Sequence, residues 1–118
     1  MNESILDSSI PKNFFTQIIG REIQRLRKEN TMSGTKLANK LGISQQQYSR
    51  YERGINTISV DTLLHILYIL ECDLDSFFAY LRYQIERDNL PAYAKFKPLF
   101  NKLGTYDEIE QYFLKTKE

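Results

Sequence analysis

The sequence predicts an all-α protein, and three observations carry that prediction. Apolar residues recur at three- and four-residue steps in successive segments, and hydroxyl or carboxylate residues stand where each segment begins. No stretch alternates apolar and polar residues long enough to claim a strand. The predicted organisation is an N-terminal arm over residues 1–13, a five-helix domain over residues 14–78, and a helical, aromatic-rich extension over residues 79–118.

The elements follow in order. Phe15, Ile18, Ile19, Ile23 and Leu26 mark one face of a helix running roughly from Phe14 to Glu29. Ser33 offers an N-cap to a short second helix whose stripe is Leu37, Ala38 and Leu41, and Gly42 stops it by turning left-handed. Ser44 caps a third helix running to Gly54, with Gln47 three residues on completing an S-x-x-Q capping box. Ser59 opens a fourth helix through VDTLLHILYILE, and Asp73 opens a fifth that ends at Leu90 and Pro91. The stretch PAYAKFKPLFNKLG leads to Thr105, which forms with Glu108 a second capping box for a last helix through Glu110, Tyr112 and Leu114.

Composition sets limits on function. The chain has 118 residues, enough for one small domain with an appendage. One cysteine, Cys72, forms no internal disulfide, and with His65 as the lone histidine no structural zinc site can be assembled, so no metal or other cofactor is expected and the setting is a reducing cytoplasm. The segment MNESILDSSIPKN does not read as a signal peptide, and no apolar run approaches the roughly 20 residues that cross a bilayer, so no membrane partner is expected. With no second histidine, no adjacent nucleophile and no glycine-rich phosphate loop, an enzyme is not expected. Cys72 reads as a small buried hydrophobe, and His65, on the side of the fourth helix with Asp61 and Tyr68, as solvated or hydrogen-bonded.

The net charge of +1 hides an asymmetry. Residues 12–53 carry nine Lys or Arg against three acids, whereas residues 54–118 carry seven basic and ten acidic side chains. Within the basic part, Leu41, Gly42, Ile43 and Ser44 allow only a tight corner between the second and third helices, which is a helix-turn-helix. The second helix of such a pair fits the major groove of DNA. Projected at about 100° per residue, Tyr48 and Tyr51 share the side that must pack inward, while Gln45, Gln46, Ser49, Arg50 and Arg53 share the opposite side. Gln presents a bidentate amide to adenine, and Arg a fork to guanine or phosphate. The candidate base readers are therefore Gln45, Gln46, Ser49 and Arg50. The candidate backbone contacts are Ser33, Thr35, Lys36, Gln47 and Arg53, with Gln47 at the edge of the reading face.

On these residues, the segment from about Ile18 to Phe78 resembles the helix-turn-helix domain of Cro, the phage repressors (C1) and the XRE-type regulators, in which the recognition helix ends in E-x-G, here Glu52, Arg53 and Gly54. The resemblance implies a structural ion pair between Arg27 and Glu52 beneath the DNA-binding surface, base contacts from Gln45 and Gln46, and a groove-facing Arg50. It also exposes a departure. Those proteins often begin the second helix with Gln, where this chain has Gly34, so Thr35 and Lys36 are expected to supply the phosphate contact. The run SQQQ-x-SRYE at Ser44 to Glu52 is similar to that of the MrpJ-type fimbria-associated regulators, which implies a bacterial, nucleoid-associated protein that represses motility and flagellar genes and modulates fimbrial operon expression.

Ten of the fifteen aromatic residues fall in the last 42 positions, more than so short a segment buries easily. Phe77, Tyr80, Tyr83, Tyr93, Phe96 and Tyr112 are the candidate interface of a homodimer, since aromatics concentrate in interface cores. The expected partners are thus double-stranded DNA and a second copy, with no small-molecule effector evident. A competing class is an antitoxin-like interaction module whose helix-turn-helix only autoregulates.

Overall fold

The computed structural model describes residues 10–100, 110–111 and 114 of the chain. They form six α-helices: α1 (Phe14–Glu29), α2 (Gly34–Leu41), α3 (Gln45–Glu52), α4 (Val60–Ile69), α5 (Leu74–Asp88) and α6 (Leu90–Phe96), followed by a 3₁₀ turn at Lys97–Phe100. No strand occurs among the described residues, and the all-α expectation holds.

The predicted caps set the helix starts. Ser33, Ser44, Ser59 and Asp73 each accept a hydrogen bond from the backbone N–H three residues on, at Lys36, Gln47, Thr62 and Ser76. Gly42 has a φ of 73° and its N–H reaches back to the carbonyls of Ala38 and Asn39, ending α2 in a left-handed corner that a Cβ would strain.

Two readings are corrected. The capping box at Ser44 is half formed, because the Gln47 amide turns away from the Ser44 N–H and donates to the Tyr51 hydroxyl at 3.1 Å. Leu90 and Pro91 do not close the fifth helix, which ends at Asp88, but open α6, capped by Asn89, whose side chain accepts from the Ala92 N–H. Proline lacks an N–H and its φ suits a helix's first turn, so Pro91 starts a helix as readily as it stops one. The helix predicted from Thr105 lies largely outside the described residues.

One core joins all six helices. Ile18, Ile23 and Leu26 of α1 pack with Leu37 and Ala38 of α2, Tyr48 and Tyr51 of α3, Leu63, Ile66 and Leu67 of α4, Phe77, Leu81 and Ile85 of α5, and Ala92 of α6. Phe14 is buried more fully than Phe15, so the stripe of α1 begins one residue earlier than its spacing predicts. Phe96 stacks on Phe14 at 6.1 Å and tilts against Phe15 at 4.7 Å, which folds α6 back onto the start of α1. No helix among the described residues is long and apolar enough to cross a membrane.

Candidate nucleic-acid interface

The corner between α2 and α3 spans Gly42, Ile43 and Ser44. Ile43 is half-buried against the core and its N–H bonds the Ala38 carbonyl, while Ser44 starts α3 at once. α3 therefore leaves the corner with its direction fixed at both ends of a three-residue link.

Its inner face is seated on two rings. Tyr48 is 1% exposed and meets the buried Tyr51 edge-on at 6.5 Å. On the outer face, Gln45, Gln46, Arg50 and Arg53 are exposed and Ser49 is half-buried. The structure thus brings the sequence-predicted readers onto one surface. Gln47 is exposed as well, but its bond to Tyr51 commits its amide, making it a brace more than a free contact. Thr35 and Lys36 stand exposed in the first turn of α2, and Ser33 uses its oxygen as the cap. Gly34 faces the Tyr48 ring, which a Cβ there would meet at 3.8 Å, an ordinary contact.

Beneath α3 lies the predicted ion pair. Arg27 Nε donates to Glu52 Oε2 at 2.6 Å and Nη2 to Oε1 at 2.9 Å, a two-pronged pairing, while Nη1 donates to the Met32 carbonyl at 2.9 Å. The Tyr48 hydroxyl donates to the same carboxylate. The Glu52 hydrogen bond holds the Arg27 guanidinium protonated above its ordinary range. Burial, then the bond to Glu52, pushes Tyr48 far above the usual tyrosine value. The carboxylate has three donors aimed at it, and no buried side-chain polar atom among the described residues lacks a partner.

Sequence reasoning missed what lets α1 and α3 approach. A Cβ on Gly20 would stand 2.3 Å from the Tyr51 carbonyl oxygen and 2.8 Å from that of Glu52, so only glycine fits where the two helices cross. The signal was there, since glycine inside a helix costs about 1 kcal/mol relative to alanine and needs a reason. Asn13, at the N-cap position of α1, makes no side-chain cap bond and instead donates to the Gly54 carbonyl at 3.2 Å, tying the start of α1 to the turn after α3. Also missed was the buried Glu22, paired with Arg25 at 2.6 Å. Arg25 also bonds Glu29 at 2.5 Å and lies 3.7 Å over the Tyr80 ring, joining α1 to α5.

The aromatic dimer residues fare differently. Phe77 is 1% exposed and part of its own core, so it is withdrawn from any interface. Tyr80 lies beneath Arg25, Phe96 packs on Phe14 and Phe15, and Tyr93 stacks on Phe100 at 6.0 Å, all within the chain. Tyr83 alone of the five described candidates is well exposed, and Tyr112 lies outside the described residues. Cys72 is half-buried with its thiol pushed up by burial, and His65 is exposed with Nδ1 3.6 Å from Asp61.

Residues 23–77 match a helix-turn-helix family model. The matched segment contains the α2–corner–α3 pair, and helical structure continues beyond it through the rest of α5 and α6. Among similar proteins, an uncharacterized HTH-type transcriptional regulator of Rickettsia conorii is 38% identical over 60 residues, covering 51% of this chain and 48% of that one. An uncharacterized transcriptional regulator in the ATPase CF(0) region of Rhodospirillum rubrum is 35% identical over 61 residues, covering 52% and 56%. A protein of Methanococcoides burtonii, named for an HTH-type transcriptional regulatory role, is 33% identical over 90 residues, covering 76% and 28%. The chain spans less than two thirds of the length of each of these relatives. No solved structure gives a significant match.

Proposed function

We propose that this chain is a sequence-specific DNA-binding transcription regulator and not an enzyme, acting in the bacterial cytoplasm on nucleoid DNA as a homodimer. The observation that carries the reading is the split of α3. Tyr48, Tyr51 and Glu52 are buried and tied to α1, while Gln45, Gln46 and Arg50 face outward on a helix whose entry angle the Gly42–Ser44 corner sets. Such a rigidly mounted row of amides and guanidinium groups suits base edges in the major groove, with Thr35, Lys36 and Arg53 on phosphate. The relatives named as transcriptional regulators agree with it. The finer reading, repression of motility and flagellar genes and modulation of a fimbrial operon, rests on the SQQQ-x-SRYE run alone.

Selection of bound fragments from random DNA with the purified chain tests the proposal. Gln45→Ala or Gln46→Ala should cost about 1–3 kcal/mol on the selected site and little on random DNA. Equal losses on both, or no enriched sequence, overturn base reading by α3.

A further inference from the structure

Exposed apolar side chains are not confined to the aromatic-rich segment after Phe77. Val60, Leu64 and Tyr68 of α4 are exposed to 72%, 44% and 82%, and their four-residue spacing makes one stripe on a face that the buried Leu63, Ile66 and Leu67 do not use. We propose that this stripe is where a second copy of this chain docks, α4 against α4, antiparallel, about a two-fold axis at Leu64. Its role in holding two α3 helices on one duplex rests on the DNA-binding reading above.

The spacing and the charges select this occupant. A two-fold interface is isologous, so the patch must complement itself. A stripe evenly spaced about its middle residue does so in antiparallel: Leu64 meets the partner's Leu64, and each small Val60 meets the partner's large Tyr68. One flank of the stripe carries Asp61 and His65, with side chains 87% and 66% exposed. At a helix rise of about 1.5 Å per residue, Asp61 lies about 4.5 Å before Leu64 along the axis and His65 about 1.5 Å after it. A two-fold axis perpendicular to the helix keeps the flank and reverses the direction. Each Asp61 then comes within about 3 Å, along the axis, of the partner's His65, while the two carboxylates stay about 9 Å apart. Acid thus faces imidazole twice and no carboxylate faces another, while the two imidazoles also come about 3 Å apart along the axis.

The stripe is small. Three side chains fall far short of the roughly 20–30 residues a side of a standard stable interface. The contact is therefore weak in free solution and is strengthened when two copies sit on adjoining half-sites, where DNA raises their effective concentration. α4 starts at the Ser59 cap, six residues beyond Arg53, so the docking face follows the reading helix directly in the chain.

Cysteine crosslinking of the full chain in a Cys72→Ser background tests this. Under mild oxidation Leu64→Cys should give a disulfide-linked dimer, more of it on selected DNA. Val60→Cys and Tyr68→Cys should link poorly alone but link when mixed. In a binding assay, Leu64→Glu should lose at least about tenfold affinity for DNA with two half-sites while staying within about twofold of wild type on one half-site. Tyr68→Glu, at an even more exposed position, serves as the second variant should Leu64→Glu fold poorly. No Leu64 crosslink with or without DNA, selected sites lacking a paired repeat, or loss of pairing in Tyr83→Glu but not in Leu64→Glu, overturns the proposal. A Leu64 crosslink in a chain that binds no DNA overturns the DNA reading and leaves the docking surface standing.

Discussion

Replacing Gly20 by alanine sets two well-known effects against each other. Helix propensity alone predicts a gain of about 1 kcal/mol, because glycine in a helix interior is that much worse than alanine. The structure predicts a loss. The new methyl would lie 2.3 Å from the Tyr51 carbonyl oxygen and 2.8 Å from that of Glu52, both main-chain atoms that no side-chain rotation can clear. Restoring ordinary contact requires α1 and α3 to separate by about 1 Å, and overpacking of this kind costs roughly 1–3 kcal/mol. The separation also pulls on the Arg27–Glu52 pair about two helix turns further along α1, so the upper part of that range applies, and after the propensity gain the net loss is about 2 kcal/mol. In urea the midpoint should fall by about 1 M, given slopes of roughly 1–3 kcal/mol per molar for small proteins. A Gly20→Ala chain as stable as wild type, or more stable, refutes the close approach of α1 to α3.

The control for that experiment is Gly34→Ala, where the methyl meets the Tyr48 ring at an ordinary 3.8 Å; stability should rise by about 0.4–1 kcal/mol in the same urea titration. Arg27→Met leaves the buried Glu52 carboxylate with Tyr48 as its remaining side-chain donor, at a cost of about 3–5 kcal/mol, and Arg27→Met with Glu52→Leu should recover much of it in a double-mutant cycle. The folded-state pKa of Tyr48 is raised, so its contribution is fully present below the unfolded value of about 10 and is lost as pH climbs above it. Melting temperatures between pH 8 and 11 should therefore fall more steeply for wild type than for Tyr48→Phe, and parallel curves would show that the hydroxyl is not held by Glu52.

Local chemistry was the legible part of this chain. Ser33, Ser44, Ser59 and Asp73 announced four helix starts because an N-cap needs only a side-chain oxygen and an N–H three residues away. The outward set Gln45, Gln46 and Arg50 was legible because α3 is short and its two tyrosines leave one way to seat it. What failed were readings that depend on which helix neighbours which. Nothing within α5 says that Tyr80 finds Arg25, or that Phe96 of α6 returns to Phe14 across more than 80 residues, so rings counted as surplus are in fact packed. Gln47 was misassigned for a related reason: two partners lay within reach, and Tyr51 was preferred to the Ser44 N–H.

α1 is a spine to which α3, α5 and α6 are lashed. Its first turn holds Phe96, its middle admits α3 at Gly20, its next turn clasps Tyr80 through Arg25, and its last turn grips Glu52. On the proposed reading of α3, the tilt at which the glutamines would meet a duplex is consequently set from behind, by side chains outside the reading face. If α3 reads bases as proposed, substitutions around Tyr80 or Phe96 would then shift operator preference without altering any of the proposed reading residues.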